Sequence, residues 1–154
     1  MSDFAIGRVT ADDIDEVMPL LRGYCEFYEA APSEAALRGV CEALLDAPET
    51  AGIQLLARLG DGTAVGLATL LWTFSTLNAG PIGLMNDLYV APAARGSGIG
   101  ATLIEACAGE CVHRGAIGLE WYTAPGNKRA QAVYDRTGAT REEWVSYSLP
   151  VSSV

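Results

Sequence analysis

Leu88-Tyr89-Val90-Ala91-Pro92-Ala93-Ala94-Arg95-Gly96-Ser97-Gly98-Ile99-Gly100-Ala101 reads as a strand that stops, a turn carrying one arginine, and a glycine-rich loop that opens a helix. Each glycine loses extra backbone entropy on folding, roughly 0.5–1 kcal/mol relative to alanine in regular structure. Gly96, Gly98 and Gly100 crowd into five residues, a density that makes sense where backbone must approach a ligand closely. At a helix start the first N–H groups have no partner, and together with the positive dipole end they form an anion site. The dipole alone contributes only ~0.3–1 kcal/mol, so several donors must converge. The loop supplies them, and Arg95 can add a charge-assisted hydrogen bond. Gly96, Gly98 and Ala101 also satisfy the dinucleotide fingerprint G-x-G-x-x-G/A, with Glu120 about 20 residues further on. That reading fits less well. Five residues, Ala91 to Arg95, separate strand from glycine, and the loop lies mid-chain instead of opening a two-part domain.

Working outward, Phe4 to Val9 alternates as a short strand, and Thr10-Ala11-Asp12-Asp13 reads as a helix cap with an acidic first turn. Ile14, Val17, Met18, Leu21 and Cys25 follow at helical spacing. Pro32 breaks that helix, and Ser33 caps a second one carrying Leu37, Val40, Cys41 and Leu44. Ile53 to Leu59 and Ala64 to Phe74 are strands joined by the Gly60-Asp61-Gly62 turn. Ile82 to Val90 is the strand that feeds the glycine loop. Gly98 to Arg114 is a regular helix with Leu103, Ile104, Cys107 and Cys111 inward and Gly115 as its stop. Ile117 to Tyr122 then forms a strand, Lys128 to Arg136 a helix, and Trp144 to Leu149 a final strand after Gly138. The order is β α α β β β α β α β in one α/β domain over residues 1–154.

Composition narrows the function classes. Half of the 154 residues are apolar, enough for a core and against disorder. No run approaches the roughly 20 apolar residues of a membrane helix, and Met1-Ser2-Asp3-Phe4 has no basic segment before an apolar one, so a cytoplasmic protein is expected. Acidic residues outnumber basic ones 19 to 10, a net charge of −9, which repels phosphate backbones and argues against nucleic acid. The same field favours a cationic small molecule. Cys25, Cys41, Cys107 and Cys111 form no CxxC pair and have no histidine partner in sequence, so they read as buried apolar residues and no metal is expected. His113, the sole histidine, sits in the last turn of a helix, where a basic group complements the dipole.

A second cluster stands past the next strand. Asn127 can cap the helix that follows, and Asn127, Ala130 and Tyr134 share a helical face that offers an amide, a small residue and a phenol. With this cluster the chain resembles the GNAT superfamily of acetyl-CoA-dependent N-acetyltransferases. Arg95-Gly96-Ser97-Gly98-Ile99-Gly100 matches that family's pyrophosphate loop, [Q/R]-x-x-G-x-[G/A], and the asparagine, alanine and tyrosine of the second helix match too. The resemblance implies a central mixed, twisted sheet with helices on both faces, and acetyl-CoA as cosubstrate with no metal. It implies that Leu88, Tyr89 and Val90 line the pantetheine with exposed backbone, that the amides from Gly96 to Ala101 hold the pyrophosphate, and that Asn127 and Ala130 contact the arm. It further implies that Tyr134 is the acid for the leaving thiolate and that Asp87 or Glu120 is the base. An alkyl ammonium with a pKa of about 10.4 must lose a proton near neutrality, so a carboxylate is wanted.

In such proteins the first helices build much of the acceptor site. Here they contain Tyr24-Cys25-Glu26-Phe27-Tyr28-Glu29, and aromatic rings beside carboxylates suit a cation. Tyr24, Glu26 and Tyr28, with Trp121 near the thioester, are therefore the expected contacts for a primary amine on a small cation, a polyamine or a lysine-like side chain. A homodimer through the edge formed by the last strands is the oligomer this resemblance suggests. Two other readings stay open at this point: a catalytically silent acyl-CoA-binding module, and a nucleotide-dependent oxidoreductase built on the glycine fingerprint.

Overall fold

The computed structural model describes residues 3–152, so Met1 and Ser2 of the N-terminal stretch considered above lie outside the described residues. Five strands, β1 (Phe4–Arg8), β2 (Gly52–Leu59), β3 (Ala64–Ser75), β4 (Gly80–Val90) and β5 (Leu119–Trp121), form one sheet in the order β1-β2-β3-β4-β5. The pairs from β1 to β4 are antiparallel and β4–β5 is parallel, which makes the sheet mixed, as expected. The parallel pair needs a crossover, and the glycine loop with α3 (Ile99–Arg114) supplies it.

Helices cover both faces. On one side α3 buries Ile99, Leu103, Ile104, Cys107 and Cys111 against Leu55, Val65, Leu70 and Met85. Fully burying an Ile or Leu contributes roughly 1.5–3 kcal/mol, so this stripe fixes α3 and its N-terminal loop to the sheet. On the other side α1 (Ile14–Phe27) and α2 (Glu34–Asp46) place Val17, Met18, Leu20, Leu21, Leu37 and Cys41 over Leu56 and Leu67. The predicted caps form. Thr10 and Asp13 make a capping box at the single 3-10 turn that leads into α1, and the Ser33 hydroxyl accepts the Ala36 amide at the start of α2. Cys41, Cys107 and Cys111 are buried, and all four cysteines are free thiols. Among the described residues no helix is long and apolar enough to cross a membrane.

One expected element differs. Residues 144–149 form no strand, and the described residues beyond α4 (Lys128–Tyr134) hold no helix or strand. Val145, Tyr147 and Leu149 alternate as a strand should, yet they and Trp144 stand 70–92% exposed. Alternation sets which face a strand would bury; it does not provide an edge to pair with, and this segment meets none within its own chain.

Candidate active site

The site begins with a register slip in β4. Thr69 of β3 faces Asp87 while the adjacent Leu70 faces Met85, which leaves Asn86 as an extra, bulged residue. A bulge bends its strand and sharpens its twist. Parallel pairing to β5 covers only Gly83, Leu84 and Met85, so β4 parts from β5 at the bulge and a cleft opens. Beyond it, the Ala91 amide donates to the Val65 carbonyl at 2.8 Å. In an antiparallel ladder that assignment turns the Tyr89 groups toward β3 and those of Leu88 and Val90 toward the cleft. The Arg95 Nε donating to the Val90 carbonyl at 2.9 Å agrees with this orientation.

At one end of the cleft lies the glycine loop. Gly96 and Gly98 have φ of +82° and +87°, left-handed values that favour glycine, and a side chain at either would project into open space. Gly98 caps α3. Among the described residues the amides of Gly96, Ser97 and Gly98 donate to no other group of the chain. The Ser97 hydroxyl ties the loop to Ala94, and Arg95 lies over the Tyr89 ring at 5.6 Å. Ile99 is buried at its side chain, so what it offers outward is backbone. The result is a rigid cradle of N–H groups at a helix start, and its chemistry fits a phosphate or pyrophosphate.

At the other end the cleft is lined by Tyr24 and Tyr28 from α1, Met85, Asn86 and Leu88 from β4, Trp121 and Tyr122 from β5, and Tyr134 from α4. Trp121 and Tyr134 meet edge to face at 5.5 Å, and Tyr24 and Tyr28 pack at 5.1 Å. Burial pushes the Tyr134 phenol up to about 12, with a smaller contribution from Tyr28, so it stays protonated near neutrality. Asn127 caps α4 by accepting the Ala130 amide at 3.2 Å, which leaves its side-chain N–H groups free. The Thr123 hydroxyl, two residues past Trp121, is buried without a partner.

Asp87 sits behind Tyr24. Its carboxyl is raised above the ordinary carboxylate value by burial, while the neighbouring Thr69 and Tyr24 hydroxyls and Asn86 Nδ2, which donates to Asp87 Oδ1 at 3.1 Å, pull it back. The Tyr24 phenol is raised in turn, first by burial and then by Asp87, and it donates to the Asn86 carbonyl at 3.3 Å. Across the sheet, Gln54 pairs with Thr69 and Thr69 with Asp87. Gln54 Nε2 donates to Thr69 Oγ1 at 3.1 Å. A polar row thus runs under α1 and α2 to the carboxylate.

The fold brings together Tyr24, Tyr28, Leu88, Trp121 and Tyr134, and sets Asp87 one hydroxyl away. Glu120 faces Leu84 across the β4–β5 pair and alternates with Trp121, so it occupies the opposite face of β5 and is not among the cleft residues. Glu26 is exposed; two residues from Tyr24 on a helix is about 200° around the axis, which turns it from the cleft. Asn86, Met85 and Tyr122 line the cleft without having been expected there. Gln54 and Thr69 were also missed, although each is a polar residue at an inward position of an apolar strand.

The comparisons with known proteins follow the same lines. The model of the acetyltransferase (GNAT) family matches residues 14–139. The chain belongs to the GNAT family. With that membership it is an acetyl-CoA-dependent acyltransferase. The uncharacterized N-acetyltransferase YhfO of Bacillus subtilis (strain 168) is 29% identical over 95% of this chain and 97% of its own. The thialysine N-epsilon-acetyltransferase of Caenorhabditis elegans is 28% identical over 100% of this chain and 96% of its own. A solved structure of a probable acetyltransferase superposes with a TM-score of 0.83 at 26% identity, covering 97% of this chain and 99% of that one. As a GNAT fold, the sheet and its four helices leave no room for the two-part nucleotide domain weighed against it.

Proposed function

We propose that the cleft transfers an acetyl group from acetyl-CoA to a primary amine carried by a small cation, a polyamine or a lysine-like side chain. The observation that carries this reading is the parting of β4 from β5 at the Asn86 bulge, which frees the Leu88 and Val90 backbone between a phosphate cradle and a cluster of tyrosines. Leu88 and Val90 pair with the pantetheine arm as an added strand would. The amides from Gly96 to Ala101, with Arg95, hold the pyrophosphate. Asn127 donates its side-chain amide to the arm, and Ala130 keeps the passage wide.

Asp87 takes the proton from the incoming ammonium through the Tyr24 hydroxyl or a water beside it, and its raised pKa makes it a better base than an ordinary aspartate. The neutral amine then attacks the thioester carbonyl, whose oxygen gathers charge opposite the Leu88 N–H. Tyr134 meets the departing sulfur. With its phenol at about 12 and an alkyl thiol near 8.5, full proton transfer is uphill by about 3.5 units, or about 5 kcal/mol. Tyr134 therefore acts by donating a hydrogen bond to the thiolate, and the second proton, shed by the attacking nitrogen as the amide forms, passes to the departing sulfur or to solvent.

The acceptor class rests on three supports: the aromatic wall of Tyr24, Tyr28, Trp121 and Tyr122, the net charge of −9, and a relative whose name places its chemistry on the ε-amine of thialysine. Aromatic faces attract ammonium groups by ~0.5–2 kcal/mol each. The test is thiol release from acetyl-CoA against an amine panel. Diamines, polyamines and lysine or thialysine should give higher kcat/KM than amino acids whose sole amine adjoins a carboxylate. A panel led by neutral or anionic acceptors overturns the acceptor class. Binding of acetyl-CoA without thiol release for any amine would instead favour a silent binding module.

A further inference from the structure

Gly23 stands inside α1, where glycine is a poor helix former. Four residues earlier Pro19 interrupts the same helix; it offers no N–H to the Asp15 carbonyl and loosens the axis there. Before that break α1 is pinned by Arg58, which pairs with Asp13 and Glu16. Beyond it the helix carries Tyr24 and ends at Tyr28, two walls of the cleft. Burial of Leu20 and Leu21 draws this half onto the sheet, and such burial has no preferred direction. What halts the approach is a contact at Gly23.

A Cβ at Gly23 would collide with the Tyr89 hydroxyl and stand 2.6 Å from its Cζ and 3.0 Å from its Cε2, where atoms in contact keep about 3.5–4.0 Å. The backbone of α1 therefore rests on the tip of that ring. The ring itself is braced. Tyr89 faces the buried Leu67 across the β3–β4 pair and packs on the apolar layer beneath α1 and α2. Arg95, its Nε donating to the Val90 carbonyl at 2.9 Å, lies over the ring at 5.6 Å. Asp87 faces Thr69 two residues earlier, so it shares Tyr89's side of β4. Gly23 over Tyr89 thus sets the next residue, Tyr24, beside Asp87, with its hydroxyl donating to the Asn86 carbonyl at 3.3 Å.

We propose that Gly23 is a positioning residue of the acceptor site: its missing side chain lets α1 settle on Tyr89, and that seat fixes Tyr24 and Tyr28 along the amine's path to Asp87. The proposal deepens the acyl-transfer reading and rests on it. With Gly23→Ala the contact must gain about 1 Å of room. Leu67 and Arg95 deny the ring that room, so the half of α1 beyond Pro19 lifts instead. The Tyr24 hydrogen bond, already 3.3 Å long, is lost, and the wall that guides the amine moves off Asp87. A misplacement of about 1 Å can cost on the order of 10²-fold in rate. The glycine cradle lies at the other end of the cleft and keeps its geometry.

The test compares Gly23→Ala, Tyr89→Leu and the double variant in the full chain, with Gly39→Ala, at an open position on α2, as control. Thiol release is followed at saturating acetyl-CoA with the best acceptor of the amine panel. Gly23→Ala should lower kcat/KM for the amine by about 10–100-fold and leave the acetyl-CoA thermal shift unchanged. Beside Tyr89→Leu, where the ring tip is gone, the same substitution should cost less than about threefold. Melting temperature reads the contact without turnover. Alanine is the better helix former, so Gly39→Ala should raise it. Gly23→Ala should lower it alone and raise it beside Tyr89→Leu, and a single variant too unstable to fold should fold again in the double. If Tyr89→Leu is itself silent, the melting temperatures decide. Wild-type turnover of the amine by Gly23→Ala overturns the proposal, as does a loss that persists undiminished beside Tyr89→Leu. A wild type silent with every amine is a failure of the acyl-transfer reading, visible before any variant is made, and it removes this proposal as well.

Discussion

Gly98→Ala isolates the phosphate cradle from the rest of the fold. Gly98 holds φ +87° and ψ 0° as the cap of α3, and a Cβ there would find no atom of the chain within 4 Å. The substitution therefore carries a conformational cost and no clash, about 1–2 kcal/mol for an L residue in the left-handed region. At about 2–4 °C per kcal/mol for a domain of this size, the melting temperature should fall by about 2–8 °C. The methyl group would also stand before the free amides of the loop. Acetyl-CoA at a hundred times its Kd should stabilise the wild type by about 2.7 kcal/mol, or about 5–11 °C. A hundredfold loss of affinity leaves RT ln 2, about 0.4 kcal/mol and about 1 °C. Differential scanning fluorimetry with acetyl-CoA and with pantetheine lacking phosphates measures both effects. Pantetheine should stabilise wild type and variant alike. Gly39→Ala, at an exposed and equally open position inside α2, is the control: it should raise stability by about 0.5–1 kcal/mol and leave the ligand response unchanged. A Gly98→Ala protein that keeps the full acetyl-CoA shift would refute the assignment of the loop.

Tyr134→Phe should lower kcat by about 10–150-fold, the worth of a hydrogen bond to a charged group at ~1.5–3 kcal/mol, with acetyl-CoA binding intact; single-turnover kinetics check it, and an unchanged chemical step refutes it. Asp87→Asn should abolish most turnover yet stabilise the protein. Because the folded carboxyl is raised above its ordinary value of 3.8, the native state binds more protons than the unfolded one between those two values, and stability falls as pH rises through that window. The variant's advantage should therefore grow from pH 4 upward and level off above the folded pKa, as urea midpoints across pH 4–8 would register; an advantage that does not vary with pH counts against burial as the cause.

Much of this was legible in the sequence because the signals are local. The α3 stripe, the Ser33 cap and the Gly96–Gly100 loop are set by spacing, side-chain oxygens and backbone freedom within a few residues. The bulge at Asn86 has no such signature. It arises from how β3 and β4 settle their register, and with it goes the split of β4 from β5 on which the cleft depends. Nor could the sequence say which carboxylate the sheet would carry to the site. Asp87 and Glu120 both lie on strands next to the cleft, and only the pairing of Glu120 with Leu84 turns it to the far face. The tail shows the opposite limit, since its alternation reads as a strand while residues 144–149 pair with no strand among the described residues.

In the proposed mechanism Asp87 is the base, and the row Gln54–Thr69–Asp87 sets its surroundings. Gln54 and Thr69 are the buried polar residues of an otherwise apolar interior, and an unpaired polar group there costs roughly 1–3 kcal/mol. Their hydrogen bond satisfies one another and leaves Thr69 beside Asp87, where it favours the charged form. Burial alone would drive Asp87 toward the neutral acid, useless for taking a proton near pH 7. Full solvation would leave it an ordinary aspartate, too weak a base for an ammonium. Two opposed influences act on it: burial, the larger, raises its pKa, and the polar groups of Thr69, Tyr24 and Asn86 pull it back. The same Tyr24 that favours the charged form lines the cleft, so the group that tunes the base is also the group through which a proton can reach it. That coupling ties the acceptor-facing helix to the chemistry on the strand.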